Sequence, residues 1–115
     1  MLRIVGRLDE AELIGRTLLD EAGDRWRPLL LLADVLRWQG RFGETEKLQA
    51  EARELATNAS RRATTAQHIG KRLFDQGLLV EAENEFATAL ELRRQIRAVP
   101  DLIESSRIAW ERARR

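Results

Sequence analysis

Two pairs of glutamates have a spacing from which general acid–base chemistry could be built: Glu44 with Glu46, and Glu81 with Glu83. Paired carboxylates can divide the roles of acid and base when their surroundings separate their pKa values. Both pairs, however, fall at the start of an expected helix, where a negative charge interacts favourably with the helix dipole. The single histidine, His68, lies one step off the apolar face of its segment, which favours a solvated or partly packed side chain. We therefore assign these residues no catalytic role and predict that the chain is not an enzyme.

Other catalytic and cofactor-binding signatures are missing from the sequence. It contains no Walker loop, no dinucleotide glycine fingerprint and no serine nucleophile elbow. Cysteine is absent, which excludes disulfides and thiolate metal sites, and one histidine cannot form a histidine-based metal cluster. The sequence predicts neither a cofactor nor a metal site, so binding remains as the route to a function.

The charge balance argues against a polyanionic partner. The chain has 20 basic and 19 acidic side chains, and a formal charge of +1 gives no overall attraction to nucleic acid or to an anionic membrane. Arginine clusters such as 61–62 and 93–94 are interleaved with acidic residues, so nucleic-acid binding is the less favoured alternative. The longest apolar run, 29–33, is too short to span a bilayer. The N-terminal residues turn acidic before a signal-peptide core could form, so we expect a cytoplasmic protein.

The elements that carry these residues are expected to be helices. Ala, Leu, Glu and Arg dominate, two prolines occur, and no strand or hairpin signal is found, so the predicted fold class is all-α with about six helices. Asp24 and Ser60 are the predicted N-caps of the second and fourth helices, and Pro28 is tolerated in a first turn. The predicted helices cover approximately residues 9–21, 25–39, 43–57, 61–76, 79–96 and 100–115.

Two of these helices carry the same apolar face. The faces consist of Leu29, Leu32, Ala33 and Leu36 in the first case and of Ala66, Ile69, Gly70 and Leu73 in the second. Within each face the residues follow the i, i+3, i+4, i+7 spacing of one side of a helix. A glycine in mid-helix costs about 1 kcal/mol relative to alanine. We expect close packing between the two helices of a hairpin to offset that cost at Gly70.

Glycines punctuate the chain at regular intervals. Gly6, Gly40 and Gly77 each end an apolar-periodic segment, with spacings of 34 residues between the first two and 37 between the last two. A large apolar residue follows each glycine by two positions, and a smaller residue comes three positions later. These residues are Leu8, Phe42 and Leu79, and then Ala11, Thr45 and Ala82. Such a period indicates a helical repeat in which each unit is a helix-turn-helix hairpin.

This pattern resembles the tetratricopeptide repeat. One unit is formed by Leu29, Leu32, Ala33, Leu36, Gly40, Phe42, Thr45 and Ala52, and a second by Ala66, Ile69, Gly70, Leu73, Gly77, Leu79, Ala82, Phe86 and Ala89. Gly6, Leu8, Ala11 and Leu18 match part of a preceding unit, and Ile108 with Ala109 matches the start of a following one. Thr45 and Gln49 depart from the small and aromatic residues that are usual there, so we expect looser packing in the first unit.

The resemblance implies a right-handed α-solenoid of antiparallel helical hairpins. Its repeats would form a single domain over 1–115, with a partial repeat at 1–24, repeats at 25–60 and 61–98, and a C-terminal helix at 99–115. The expected long loops "ATNASRRA" and "RRQIRAVPD" are similar to those of the repeats in bacterial signalling ATPases and transcriptional regulators. Both ends fall in mid-repeat, so we expect either a piece of a longer solenoid or terminal faces covered by a partner or a second copy.

The resemblance also implies a concave surface for peptides or helices. On the first helices of the two units it would comprise Arg27, Leu30, Asp34, Arg37 and Trp38, and then Thr64, Gln67, Lys71, Phe74 and Asp75. The last helix would add Ile103, Ser106, Trp110 and Arg114. Aromatic and arginine side chains often anchor interfaces, although Trp38 and Phe74 could equally cap a neighbouring helix. The clamp that holds a C-terminal carboxylate in some members is missing, because Leu30 and Asp34 occupy its positions.

We therefore predict a non-catalytic protein–protein interaction module or scaffold that binds a peptide or helix. Two alternatives remain open: a homo-oligomerisation module that uses its open terminal repeats, and a regulatory fragment of a larger bacterial signalling or transcription regulator.

Overall fold

The computed structural model describes the backbone of residues 2–115 and the side chains from Gly6 onward. This part of the chain is all-α, as predicted, and forms six helices that pack in sequence as hairpins. The helices are α1 (Leu2–Glu21), α2 (Trp26–Trp38), α3 (Phe42–Glu54), α4 (Ala59–Asp75), α5 (Leu79–Gln95) and α6 (Pro100–Arg114). Within the described residues, none of these helices combines the length and the apolar character that a membrane-spanning helix needs.

The chain divides into two compact units, one ending at Leu55 and the other beginning at Ala56. In the first unit α2 packs against both α1 and α3, and in the second α5 packs against both α4 and α6. The predicted apolar face of α2 is buried in the first unit. The core of the second unit comprises Ile69, Leu73, Ala82, Phe86 and Ala113, with Ala109 and Trp110 packed against it.

The turns that close the hairpins share one backbone geometry. Gly40 and Gly77 have φ angles of 77° and 78°, in the left-handed region where glycine carries no Cβ penalty. In both turns the residue after the glycine donates its N–H to the carbonyl five positions earlier, at 2.9 Å, which is the Schellman arrangement. The α5–α6 turn has the same bond from Ala98 to Arg93 at 2.9 Å, but its left-handed residue is Arg97, with φ 52°. The prediction that Gly40 and Gly77 end helices is confirmed.

A third predicted turn, at Gly6, is wrong. Helix α1 runs without a break from Leu2 to Glu21 and passes through Gly6. A single glycine costs a helix only about 1 kcal/mol, which the strong helix formers that follow it, such as Leu8, Glu10 and Ala11, can offset. The prediction of extra-long loops is also wrong, because the connections at 55–58 and 96–99 have four residues each. The 37-residue spacing between Gly40 and Gly77 instead contains the longer helix α4, which has 17 residues, whereas α2 and α3 have 13 each.

The two predicted N-caps are both displaced. Arg25 occupies the N-cap position of α2 and makes no side-chain capping bond, so the prediction of Asp24 as N-cap is wrong by one residue, although its carboxylate accepts the N–H of Trp26 at 3.1 Å. The predicted cap of α4, Ser60, is wrong because that residue lies inside the helix. Asn58 is extended and accepts the N–H of Arg61 at 2.8 Å, and it therefore occupies the N-cap position.

Among the glycines, Gly70 leaves the least room for a side chain, on the face that α4 turns towards α5. An ideal Cβ at this position would lie 2.5 Å from Cε1 and 2.6 Å from Cδ1 of Phe86. The expected close packing is confirmed, because only glycine leaves room for that ring. In the first unit, Thr45 and Gln49 are only 0% and 1% exposed, so burial shows no sign of the looser packing expected there.

Candidate functional site

The most exposed aromatic side chain that the structure describes is Trp38, the last residue of α2. It is 60% exposed, and the guanidinium carbon of Arg37 lies 5.8 Å from its ring centroid. The turn at Gly40 ends the helix just after it and leaves the indole beside a groove of about 380 Å³. We call this feature the Trp38 groove; it is lined by Leu8, Asp9, Trp38, Gln39 and Arg41.

A carboxylate behind the Trp38 groove holds two of its lining side chains. Glu12 accepts hydrogen bonds from Arg16 at 2.9 Å, from Gln39 at 3.3 Å and from Arg41 at 2.7 Å. The bond from Arg16 is the largest cause that lowers the pKa of Glu12 below its ordinary value, and partial desolvation opposes the shift. Glu12 is therefore ionised at neutral pH and fixes Gln39 and Arg41 at the edge of the groove.

The other predicted residues of α2 differ in their exposure. Arg27 is exposed, and its guanidinium carbon lies 5.2 Å from the ring centroid of Trp26. Asp34 and Arg37 are half-buried and form an ion pair of 3.7 Å with each other. Leu30 is only 3% exposed, so its inclusion in a binding surface needs correction: its side chain packs in the interior.

The predicted residues of α4 also separate into surface and interior. Lys71 is exposed and Phe74 is 38% exposed, so both can reach a partner. Gln67 is 4% exposed, and its side-chain oxygen accepts a hydrogen bond of 2.8 Å from the hydroxyl of Ser106. Gln67 and Ser106 therefore belong to the interior, which corrects the surface roles predicted for them. Of the remaining predicted members, Asp75 and Arg114 are exposed and Thr64, Ile103 and Trp110 are half-buried.

A buried arginine that the sequence analysis did not predict completes this internal cluster. Arg93 is 5% exposed and donates to the hydroxyl of Ser106 at 2.8 Å and to the carbonyl of Leu102 at 3.1 Å. Burial lowers the pKa of its guanidinium below the ordinary value. A signal for this was present, since Arg93 continues the helical spacing of Phe86 and Leu90 on the buried face of α5.

Sequence reasoning also missed an apolar groove between α1 and α2. Its volume is about 390 Å³, and Leu18 and Leu31 at its sides are each 49% exposed. The lining residues are Gly15, Leu18, Glu21, Ala22, Arg27, Pro28 and Leu31. The available signal was the apolar character of Leu18, Pro28 and Leu31, which line the groove from α1 and α2.

The groups with potential chemistry are not gathered into a reaction centre among the described residues. Glu44 and Glu81 lie in the first turns of α3 and α5, as the helix-dipole interpretation predicts. Arg41 forms the hydrogen bond that most lowers the pKa of Glu44. Within residues 6–115, no three His, Cys, Asp or Glu side chains are grouped as a metal site requires. What the described surface offers is exposed aromatic and aliphatic side chains beside two grooves.

Comparison with known proteins gives one match. A family model described as "Tetratricopeptide repeat" matches residues 27–96, which is more than half of the chain and covers nearly all of α2 to α5. The comparisons with curated proteins and with solved structures gave no match.

Proposed function

The chain belongs to the tetratricopeptide repeat family, and on that premise we propose that it is a non-catalytic interaction module that binds a protein segment at the Trp38 groove. Domains of this family generally mediate protein–protein interactions. The observation that carries the proposal is the 60% exposure of Trp38 beside a groove. A tryptophan can bury roughly 150–250 Å² in a complex, and tryptophans are enriched among the residues that contribute most to binding.

The charges around the Trp38 groove favour an apolar anchor on the partner. Arg41 is already paired with Glu12 at 2.7 Å and with Glu44 at 2.8 Å. A partner carboxylate would have to compete with both of these side chains for the guanidinium. An aliphatic or aromatic side chain of the partner does not have to displace an ion pair, and it buries apolar surface against the indole and Leu8. We therefore expect a segment that inserts an apolar side chain beside Trp38.

The same reasoning disfavours a C-terminal carboxylate as the ligand. Leu30 is buried, and Asp34 would repel a carboxylate and is paired with Arg37. In the second unit, Lys71 and Phe74 form a separate exposed pair on α4, and we propose them as further contacts for a protein partner.

Selection of random peptides displayed on phage, with the purified protein as bait, tests the proposal. The selected peptides are then titrated against the wild-type chain and Trp38→Ala by fluorescence anisotropy. Loss of an anchor that contributes about 2 kcal/mol weakens binding roughly thirtyfold. The matched control is Val80→Ala, which truncates a residue that is 67% exposed on α5, and it should leave the affinity unchanged.

Thermal melting separates loss of the surface from loss of the fold. Trp38→Ala should melt close to the wild-type temperature because the indole is mostly exposed. Trp26→Ala removes an indole that is 6% exposed and should destabilise the protein by about 3–5 kcal/mol. If Trp38→Ala melts as early as Trp26→Ala, or if the selected peptides bind it as well as they bind the wild type, the proposal is wrong.

A further inference from the structure

Helix α1 leaves a row of side chains uncovered on the side away from its buried residues. Ile14 is 60% exposed and Leu18 is 49% exposed, and Leu18 borders the groove that continues to Leu31. Contiguous exposed apolar patches of more than roughly a few hundred Å² are rare on monomers and often mark a contact site. The feature is separate from the Trp38 groove, because Leu8 and Asp9 point more than a quarter turn away from Ile14 around the helix axis.

Charged residues lie at both ends of this row, and the exposed Glu10 lies on the same side of the helix between Arg7 and Ile14. Arg7 lies seven residues before Ile14 and Glu21 seven residues after it, and both are exposed. Seven residues are nearly two turns of a helix, so the three side chains lie on one side of α1. Arg7 and Glu21 are each about 10 Å from Ile14 along the axis. We call the row formed by Arg7, Ile14, Leu18 and Glu21 the α1 face.

We propose that the α1 face binds the same face of a second copy of this chain, with the two helices antiparallel and Ile14 at the two-fold axis. In that arrangement Arg7 of each chain lies beside Glu21 of the partner subunit, so two ion pairs flank the apolar contact. A parallel arrangement would place the two arginines together and the two glutamates together. The charge order along α1 therefore selects the antiparallel dimer, in which one surface patch meets itself.

The size of the α1 face sets the expected affinity. A standard interface buries about 800 Å² on each partner, and one helix face with four contact residues offers less. We expect dissociation constants on the order of 10–100 µM. The contacts of a small interface only slightly exceed the free energy that is lost when two chains give up their independent motion. The dimer does not involve the Trp38 groove, so this proposal goes beyond the peptide-binding function proposed above. The dimer can therefore form even if the Trp38 groove binds no partner.

Sedimentation equilibrium over a range that brackets these concentrations tests the proposal. The wild-type mass should rise from 13.2 kDa towards twice that value as the concentration increases. Ile14→Glu places two carboxylates at the axis and should keep the chain monomeric, while circular dichroism shows unchanged helix content. The matched control is Val80→Glu, which changes a residue that is 67% exposed on α5 and should dimerise as the wild type does.

Charge reversal tests the antiparallel pairing itself. Arg7→Glu and Glu21→Arg should each weaken dimerisation at least roughly tenfold, because each turns two attractions into two repulsions. Mixing the two variants should restore the dimer, since each chain then meets opposite charges on the other. A wild-type chain that stays monomeric at all concentrations would overturn the proposal and leave the α1 face to another occupant. A mixture that stays monomeric, or an Ile14→Glu variant that still dimerises, would overturn it equally.

Discussion

Replacing Gly70 by alanine tests the close contact between Gly70 in α4 and Phe86 in α5. The added Cβ would lie 2.5 Å, 2.6 Å and 3.0 Å from three ring atoms of Phe86, whereas carbon atoms in favourable contact are about 3.5–4.0 Å apart. Phe86 is 2% exposed, so its ring has little room to move away. Overpacking of this kind costs about 1–3 kcal/mol, and the better helix propensity of alanine returns about 1 kcal/mol. We expect a net loss of up to about 2 kcal/mol in the free energy of unfolding.

The same substitution in a Phe86→Leu variant distinguishes a steric clash with the ring from other causes of destabilisation. Phe86→Leu removes the ring atoms, so alanine at position 70 should then raise the free energy of unfolding by up to about 1 kcal/mol through helix propensity. The substitution thus destabilises the wild-type protein and stabilises the Phe86→Leu variant, and the difference between the two effects is a coupling energy of about 1–3 kcal/mol. Urea denaturation followed by circular dichroism measures all four proteins, and the slope shows whether the compactness of the end states has changed.

Gly43→Ala is the matched control, because Gly43 lies in α3 and a Cβ there would contact nothing within 4 Å. It should leave the free energy of unfolding unchanged or raise it slightly. If Gly70→Ala stabilises the wild-type protein, or if its effect is the same in both backgrounds, the close approach of α4 and α5 is not what requires glycine.

Three further predictions concern the turns, the ion pairs and the buried cluster. Gly77→Ala should lower the free energy of unfolding by about 1 kcal/mol or more, and Arg97→Gly should raise it by about 0.5–1 kcal/mol, because both residues have positive φ; thermal melting would show opposite shifts. Glu12→Gln should destabilise the protein at neutral pH. Because the folded pKa of Glu12 is lowered, its contribution is complete above the unfolded value of about 4.3 and is lost as the pH falls through the folded pKa, so urea denaturation across acidic pH should show the difference closing. Ser106→Ala removes the partner of two buried polar side chains and should cost about 1–3 kcal/mol in the same assay, while Ser105→Ala, at an exposed position, should have little effect.

The parts of the fold that depend on local chemistry could be predicted from the sequence. The turns at Gly40 and Gly77 follow from a residue type that accepts positive φ, and the apolar face of α2 follows from its helical spacing. Capping was only partly predictable: Asn58 and Ser60 are both good caps, and which one acts depends on where the backbone leaves the extended region. Gly6 was misinterpreted because its neighbours match a turn pattern, although the same neighbours are also strong helix formers.

The candidate surface was harder to predict because exposure depends on residues far away in the sequence. Gln67 is polar, yet it is buried because Ser106, 39 residues later, supplies a hydrogen bond. Leu30 belongs to a continuous apolar run, in which helical spacing cannot distinguish the buried side from the exposed side. The α1 face was missed for a related reason: its apolar residues look like core residues until the packing shows which side of the helix α2 covers.

The three tryptophans lie in three different environments, so intrinsic tryptophan fluorescence can distinguish different parts of the protein. Trp26 is buried and Trp38 is exposed in the first unit, while Trp110 is half-buried in the second. Iodide in solution should quench the emission of Trp38 far more than that of Trp26. Variants that keep either Trp26 or Trp110 as the single fluorophore would report the unfolding of each unit separately. Whether the two units unfold together thus becomes a question that fluorescence can answer without any added label.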